Sequence, residues 1–395
     1  MRLPVVAILL FIVANVLCDL SIVKQLKKQC YKWLTSAYCT LSAIIYIVLA
    51  VIVVLAKSSV GESVFDWMMW GLFSLCSVCF VKFLYVVFRL ISLLPKLFNK
   101  RPWRHCPLVG AFLGIIVFIA MWWGALVTPR QLDIENVNLS FEKLPKGFDG
   151  YRILQVSDLH VGTYGHSTAI VDNIVQTINE QNVDLVVFTG DVVNRKTDEI
   201  QPFISSLKQI KAKDGVISIL GNHDYGDYYK WPSEAAKKAN MDKLIQIQRD
   251  SLNWNLLMNE HIAIRQGNDS IMIIGVENWG EPPFPTYGDL SKSYPDVNDG
   301  KFKLLLSHNP KHWDEIVSKH TNIDLTLSGH THAMQMMFNL FGFKFSPSST
   351  RYPHWGGLYE EDGKKLYVNI GTGEVGIPMR IGATPELTVF TLKCK

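Results

Sequence analysis

Five apolar segments in the second part of the chain each end in side chains of the types that bind metal ions. The segments are rich in branched aliphatic residues, as is typical of strands that are covered on both faces. The junctions that follow them are Asp158-Leu-His160, Gly190-Asp191, Gly221-Asn222-His223-Asp224, Ser307-His308 and Gly329-His330-Thr-His332. Because helical patterns alternate with these segments, we predict an α/β domain in which the five junctions meet at one edge of the sheet.

The residue types at these junctions predict a metal site. A single Asp-x-His or Gly-Asp step is a common turn, and a lone histidine after a strand is more often a hydrogen-bonded surface residue. Recurrence at five junctions favours ligands over turns, and the candidate ligands are Asp158, His160, Asp191, Asn222, His308, His330 and His332. This set contains no thiolate and is too large for one tetrahedral zinc ion. It suits two adjacent cations that share a bridging carboxylate.

The first 128 residues have a different composition, because they consist mainly of apolar and aromatic side chains. Four stretches are long enough, or nearly so, to cross a bilayer core, which takes about twenty apolar residues. They are Pro4–Val23, Tyr38–Ala56, Val64–Val87 and Pro107–Val127, and we expect the first to be retained rather than cleaved as a signal peptide. We therefore predict an all-α transmembrane four-helix bundle at 1–128 and a separate α/β domain at 129–395.

Basic residues in the loops between the spans predict the orientation. Four lysines follow the first span and four basic residues follow the third, whereas the loop after the second carries only Lys57, offset by Glu62. By the positive-inside rule the first and third loops are cytoplasmic. With four spans, the second domain then lies outside. The predicted location is the cell membrane, with a multi-pass anchor and an exocytoplasmic α/β domain.

Charge and cysteine content exclude some functions for the second domain. The net charge of +4 lies largely beside the apolar stretches and does not favour a nucleic-acid partner. Six of the seven cysteines precede residue 128, and Cys394 alone belongs to the second domain. A disulfide framework and a thiolate metal site are therefore excluded there. The expected partners are the lipid bilayer and a small substrate, with no obligate protein partner.

Taken together, the five junctions resemble the signature of the calcineurin-like metallophosphoesterases, over about residues 133–392. The tail contains Asn369-Ile-Gly-Thr-Gly, Pro378-Met-Arg380 and Pro385-Glu-Leu, and it is similar to the bacterial membrane-associated branch of that family. The resemblance implies a metal-dependent phosphoric ester hydrolase. It also implies a four-layer α/β sandwich, in which two mixed sheets pack face to face with helices outside.

The resemblance further implies a role for the junction residues. One divalent ion (Mn, Zn, Fe or Mg) is implied for Asp158, His160 and His332, a second for Asn222, His308 and His330, and Asp191 is the implied bridge. A metal-bridged hydroxide attacks phosphorus in line, and His223 protonates the leaving oxygen. Asn194 stands where the phosphoprotein-phosphatase branch has Asp to orient that histidine, so we favour a phosphodiester or pyrophosphate over a protein phosphomonoester. Arg195 is either a phosphate contact or a surface residue.

Two apolar loops bear on the substrate. The connection after His332 is rich in Met and aromatic side chains, and we interpret it either as a flap over the sheet or as a lip for acyl or prenyl chains. Trp279–Tyr287 is a second aromatic loop that could line the same cleft.

The leading hypothesis is a membrane-anchored two-metal phosphohydrolase that cleaves a lipid-linked or envelope phosphate ester. One alternative is a tethered hydrolase of soluble nucleotides or sugar phosphates. Another is a binding protein with an inactive phosphoesterase domain, or a transporter component.

The loop charges make a prediction about topology. A cysteine in place of Asp296 should react with an impermeant thiol reagent in intact cells or spheroplasts, and a cysteine in place of Lys28 should be protected. Labelling in the opposite pattern would place the second domain in the cytoplasm.

Overall fold

The structure is a computed structural model that describes residues 5–29, 31–55, 62–282, 284–294, 296 and 298–395. The side chains of residues 5–10, 62, 63, 65 and 66 are not among those described. Pro4, Ala56, Lys57 and Pro283 lie outside the described residues. The chain divides into two compact units, Met1–Leu126 with Gly376–Met379, and Val127–Val375 with Arg380–Lys395.

The first unit is helical. Its helices are α1 (Val5–Lys28), α2 (Lys32–Leu55), α3 (Glu62–Ser92) and α4 (Cys106–Leu126). Three helices in the described part of the chain are long and apolar enough to cross a membrane, at Lys32–Leu55, Trp67–Phe98 and Cys106–Arg130. Helix α1 covers the described part of the first predicted span but is not one of these three, so a fourth span stays a prediction.

A buried polar cluster joins helices α1, α2 and α3. Asp19 Oδ1 lies 2.9 Å from Lys82 Nζ, and the carboxylate accepts hydrogen bonds from the hydroxyls of Tyr38 (2.5 Å) and Tyr46 (2.7 Å). A charge among apolar helices costs much less free energy when it is paired and hydrogen-bonded. These contacts account for Asp19 and Lys82 inside the apolar helices.

The second unit contains two six-stranded sheets and a separate two-stranded hairpin. Its strands are β1 (Asp133–Phe141), β2 (Arg152–Val156), β3 (Leu185–Phe188), β4 (Val216–Ser218), β5 (Asn255–Leu256), β6 (Glu260–Gln266), β7 (Asp269–Gly275), β8 (Lys303–Leu306), β9 (Leu325–Ser328), β10 (Phe338–Leu340), β11 (Phe343–Phe345), β12 (Gly357–Glu361), β13 (Lys364–Val368) and β14 (Glu386–Cys394). Its α-helices are α5 (Ala169–Glu180), α6 (Ile204–Leu207), α7 (Glu234–Gln246), α8 (Leu290–Ser293) and α9 (Ser318–His320).

Both sheets are mixed. The first has the order β1-β14-β2-β3-β4-β5, in which β2 to β5 are parallel and β14 is antiparallel to β2. The second has the order β12-β13-β9-β8-β7-β6, in which β13, β9, β8 and β7 are parallel. Parallel strands bring their carboxyl ends to one edge. The junctions after β2, β3 and β4 therefore share an edge of the first sheet, and those after β8 and β9 share an edge of the second.

The two sheets share a hydrophobic core. Ile153 and Leu185 of the first sheet belong to the same buried cluster as Leu304 and Leu325 of the second. Alternate residues point the other way, and Leu154 packs in a cluster with one face of α5. Each fully buried aliphatic side chain contributes roughly 1.5–3 kcal/mol relative to its exposed state. The predicted α/β domain with mixed sheets is confirmed.

Candidate metal centre

The carboxyl ends of five strands bring seven candidate ligands into one cluster. Asp158 and His160 follow β2, Asp191 follows β3 and Asn222 follows β4, all in the first sheet. His308 follows β8, and His330 and His332 follow β9, in the second sheet. Three overlapping groups have candidate ligand atoms within 4.8 Å of one another, namely Asp158, His160 and His332; His160, Asp191 and His223; and Asp191, His308 and His330.

Asp191 lies between the two halves of the cluster. Its Oδ2 is 3.5 Å from His160 Nε2 on one side and 3.1 Å from His308 Nε2 on the other. Asn222 extends the second half, because its Oδ1 is 2.8 Å from His330 Nδ1 and 3.1 Å from His308 Nε2. In the first half, Asp158 Oδ1 is 3.2 Å from His332 Nε2. The structure thus brings together all seven residues that the sequence singled out.

The backbone at the junctions is strained. Five of the seven candidate ligands have a positive φ: Asp158 (52°), His160 (45°), Asp191 (59°), His330 (73°) and His332 (49°). Each such conformation in a non-glycine residue costs of order 1–3 kcal/mol, and this kind of strain concentrates at functional sites. Two glycines allow the close approach. A Cβ on Gly221 would collide with the Asp191 carboxylate, and one on Gly329 would collide with Asp158.

A buried carboxylate that is not a candidate ligand holds two of these turns in place. Asp224 accepts hydrogen bonds from the backbone N–H groups of Asp191 (2.9 Å), Val192 (2.9 Å), Val193 (3.3 Å) and Gly221 (2.9 Å). It therefore ties the turn after β3 to the turn after β4. The sequence placed Asp224 in a motif but gave no reason to assign it this role.

The electrostatics of the cluster suit a cation. Burial disfavours the charged form of Asp158, but His332 and His308 outweigh burial and lower the pKa of Asp158. Burial opposes ionisation of Asp191 in the same way, and His308 and His223 overcome it and hold the pKa of Asp191 well below its usual range. Burial also lowers the pKa of His330 to about 3. Burial alone would lower the pKa of His308, but Asp191 and Asp158 raise it to about 9. Carboxylates and imidazoles are the donor set that divalent metals bind, and a metal ion would take the place of the proton on such a histidine.

Hydrogen bonds outside the cluster orient two of the histidines. His308 Nδ1 lies 2.7 Å from the Thr189 carbonyl oxygen, which can only accept, so Nδ1 carries a proton and Nε2 faces the cluster. The Tyr352 hydroxyl donates to Glu281 Oε2 (2.8 Å) and lies 2.9 Å from His330 Nε2. Because that hydroxyl gives its only proton to Glu281, it accepts from His330 Nε2. Such outer contacts fix the ring and the free nitrogen of a metal ligand.

His223 lies beside the cluster, and its ring centroid is 4.8 Å from that of His160. Burial lowers its pKa, although Asp191 and the carbonyl of Asn194 favour the protonated form. His223 Nδ1 is 2.6 Å from the backbone oxygen of Asn194, so the contact that orients this histidine comes from the main chain. The side chain of Asn194 instead donates to Thr163 Oγ1 (2.9 Å). The guanidinium of Arg195 lies over the ring of Tyr229, 5.3 Å from its centroid.

Aromatic side chains flank His223. Tyr228 stacks on its ring at 4.1 Å between centroids and accepts a hydrogen bond from Asn222 Nδ2 (2.9 Å). The ring centroids of Phe284 and Tyr228 are 5.3 Å apart, and Glu281 accepts a hydrogen bond from the Tyr352 hydroxyl. Both loop residues belong to the Trp279–Tyr287 segment. The sequence indicated that this segment could line the cleft, but it gave no signal for Tyr228, Glu281 or Tyr352.

The residues present fit divalent metal ions. The cluster supplies carboxylate oxygens, imidazole nitrogens and one amide oxygen, and it contains no thiolate. Asp158, His160 and His332 could hold one ion, and Asp191, Asn222, His308 and His330 could hold another.

Comparison with known proteins supports the same chemistry. Residues 151–334 match the family model described as Calcineurin-like phosphoesterase. The protein named "Uncharacterized metallophosphoesterase YkuE" from Bacillus subtilis (strain 168) is 30% identical over 269 residues, which cover 67% of this chain and 87% of that protein. A "Transmembrane protein with metallophosphoesterase domain" from Danio rerio is 28% identical over 322 residues, which cover 78% of this chain and 69% of that protein.

A solved structure, described as a dimetal phosphatase from Danio rerio, is a distant match. It covers 57% of this chain and 88% of its own, with 10% identity and a TM-score of 0.34. This likeness is too low to carry an argument.

The central position of Asp191 predicts the effect of removing its charge. Asp191→Asn should lose bound metal from both halves of the cluster, because this side chain contacts histidines in each. The loss of affinity should exceed the roughly 10–100-fold that is typical of outer contacts. Metal content after gel filtration measures it, with the exposed turn variant Asp362→Asn as control. Full metal content in Asp191→Asn would contradict the central role.

The contact between Tyr352 and His330 predicts a smaller effect. Tyr352→Phe removes the acceptor for His330 Nε2–H, and metal affinity should fall by about 10–100-fold. Metal titration followed by calorimetry gives the affinity. Tyr359→Phe is a matched control, because its hydroxyl accepts from the backbone N–H groups of Trp355 and Gly356 rather than from a ligand. Equal losses in both variants would show a general packing effect.

Proposed function

The chain belongs to the calcineurin-like phosphoesterase family, and we propose that it is a membrane-anchored two-metal hydrolase of a phosphodiester or pyrophosphate. As a member of this family it is a metal-dependent phosphoesterase. The observation that carries the two-metal proposal is the position of Asp191 between His160 and His308. Each half of the cluster then has its own terminal ligands and shares one carboxylate, as two-ion hydrolases require.

The proposed reaction assigns separate tasks to metals and side chains. When bound, two divalent ions lower the pKa of water and offset the charge on the phosphoryl oxygens. The buried ligands exclude bulk water from the cluster. Asp224 and the strained turns keep the ligand atoms in place, so that little reorganisation is needed.

His223 is the proposed general acid. Its Nδ1 is held by the Asn194 carbonyl, so Nε2 is the nitrogen left to give a proton to the leaving oxygen. The carbonyl adds no full negative charge behind the imidazolium. This weak support favours leaving groups of diesters and pyrophosphates over those of protein phosphomonoesters.

The proposed substrate is lipid-linked or derived from the cell envelope. Three helices capable of crossing a membrane support it, because they keep the catalytic domain near lipid headgroups. Phe284 and Tyr228 add apolar surface next to His223. We further propose that Val5–Lys28 supplies a fourth span, that residues 129–395 form a four-layer catalytic domain, and that this domain faces the exterior.

The role of His223 predicts a dependence on the leaving group. His223→Ala should retain its metals and lose about 10²–10⁴ in rate on alkyl phosphate esters, with a much smaller loss on activated aryl esters. Rates across a leaving-group series, together with metal content, measure this. His320→Ala is the control, because His320 is an exposed histidine. Equal losses across the series would give His223 a structural role instead.

The substrate class is tested with matched esters. The full chain in nanodiscs is given a phosphodiester or pyrophosphate with a long acyl or prenyl chain, the same headgroup with a short chain, and soluble nucleotides or sugar phosphates. Each methylene of the long chain that is buried against the protein should contribute about 0.8 kcal/mol. Burial of two methylenes should therefore raise kcat/KM for the long-chain ester about tenfold over that for the short-chain ester. Asp191→Asn gives the background rate. A preference for the soluble compounds would favour the tethered hydrolase, and no turnover with metals bound would favour a binding protein.

A further inference from the structure

The hairpin after β9 is amphipathic. Its strands pair in antiparallel register as Phe338 with Phe345, Asn339 with Lys344, and Leu340 with Phe343. Residues that pair directly lie on the same face, and successive residues alternate between faces. One face of the hairpin is therefore wholly apolar, and the other carries an amide and an ammonium group.

The described part of the chain leaves this apolar face uncovered. The exposed fraction rises from 43% at Phe338 to 67% at Leu340 and 81% at Phe343, and Phe341 at the tip is fully exposed. A contiguous apolar surface on a protruding element usually marks an interaction site. The segment that the sequence indicated could be a flap over the sheet thus presents its aromatic side chains to the outside.

The turn at the tip of the hairpin places an aromatic residue in a strained backbone conformation. Phe341 has φ 53° and Gly342 has φ 90°, the left-handed pair that two-residue hairpins usually fill with Asn-Gly. A bulky side chain in that region is an uncommon choice, because it is strained where Asn or Gly is not. The strain favours a function for the exposed ring over a purely structural turn.

The polar face of the hairpin borders an acidic cleft of the second unit. Lys344 lines this cleft of about 240 Å³ with Asp133, Glu135 and Glu386. Because Lys344 lines this cleft, the polar face of the hairpin lies toward the domain. The apolar face is then the outward one.

The base of the hairpin lies close to the start of β1, because Met337 and Asp133 line the same cleft. Met337 N–H donates to the Ile381 carbonyl (2.9 Å), shortly before β14. The first residue of β14, Glu386, pairs with Asp133 at the start of β1. Asp133 follows closely on Arg130, which ends the last of the three membrane-capable helices. The hairpin is therefore attached close to the segment through which the second unit is joined to its last membrane-capable helix.

We propose that this hairpin inserts its apolar face and the Phe341 ring into the interfacial layer of the bilayer. Phenylalanine and leucine on one face of an amphipathic element are typical of interfacial insertion. The hairpin would then give the second unit a membrane contact besides the chain connection at Arg130. The inference concerns docking and holds whether or not the proposed substrate is correct.

Photo-cross-linking to lipid tests the proposal in the full chain. The change Phe341→p-benzoylphenylalanine keeps an aromatic ring at the tip, and the protein is placed in phosphatidylcholine nanodiscs in the Asp191→Asn background, without added substrate. Irradiation should add the mass of one phospholipid to the peptide that contains position 341. Because turnover is not needed, failure here is distinct from failure of the proposed hydrolase.

The matched control is the same photoreactive residue in place of Asn268. This exposed residue lies in the turn before β7, and β7 is parallel to β8, so the turn is at the amino edge of the second sheet. It should give no lipid adduct. Absence of the adduct at 341 would overturn the proposal, as would equal adducts at both positions. A cross-link from 341 to a second copy of the chain would overturn it in favour of a protein partner.

Discussion

The geometry of the candidate metal centre depends on one buried carboxylate that is not itself a candidate ligand. Asp224 collects four backbone N–H groups from the turns after β3 and β4, and those turns carry Asp191 and Asn222. Backbone N–H groups buried without an acceptor would each cost roughly 1–3 kcal/mol, so the carboxylate makes this tight convergence possible. Asp191 is held in place because its own backbone N–H is one of the four groups that donate to Asp224.

The same convergence explains why sequence reasoning could single out the candidate ligands that the structure brings together. Each candidate ligand lies shortly after a buried parallel strand, and the parallel strands of each sheet bring their carboxyl ends to one edge of that sheet regardless of loop details. Their apolar pattern predicts buried strands at Tyr151–Ser157 and Val183–Thr189, and the structure has strands at Arg152–Val156 and Leu185–Phe188. The hydrophobic pattern that defines a strand therefore also fixes the approximate position of ligands two to four residues beyond its end.

Contacts between loops that are distant in the chain have no periodic pattern in the sequence from which they could be predicted. The alternation of strands and helices in the sequence predicts a helix around Ile200–Lys211. The structure instead has a 3-10 helix at Thr197–Phe203, which contains Pro202, followed by the short helix α6. Glu281 and Tyr352 lie far apart in the chain and come from connections without periodicity, so their meeting at His330 was invisible in the sequence. The Asn194 contact likewise depends on a main-chain carbonyl, which no residue type reveals.

The contact between Glu281 and Tyr352 joins the outer loops to the metal cluster. Glu281 also contacts Lys311 and Arg351, and it holds the Tyr352 hydroxyl that accepts from His330 Nε2. Burial by itself would raise the pKa of Glu281, but Lys311 and Arg351 beside the carboxylate keep that pKa below its usual value. An ionised Glu281 must accept the hydroxyl proton, and that requirement fixes the direction of the chain of hydrogen bonds. The negative charge of Glu281 thus sets the direction in which the Tyr352 hydroxyl points. Because that hydroxyl accepts from His330 Nε2, the unprotonated Nδ1 of His330 faces the cluster.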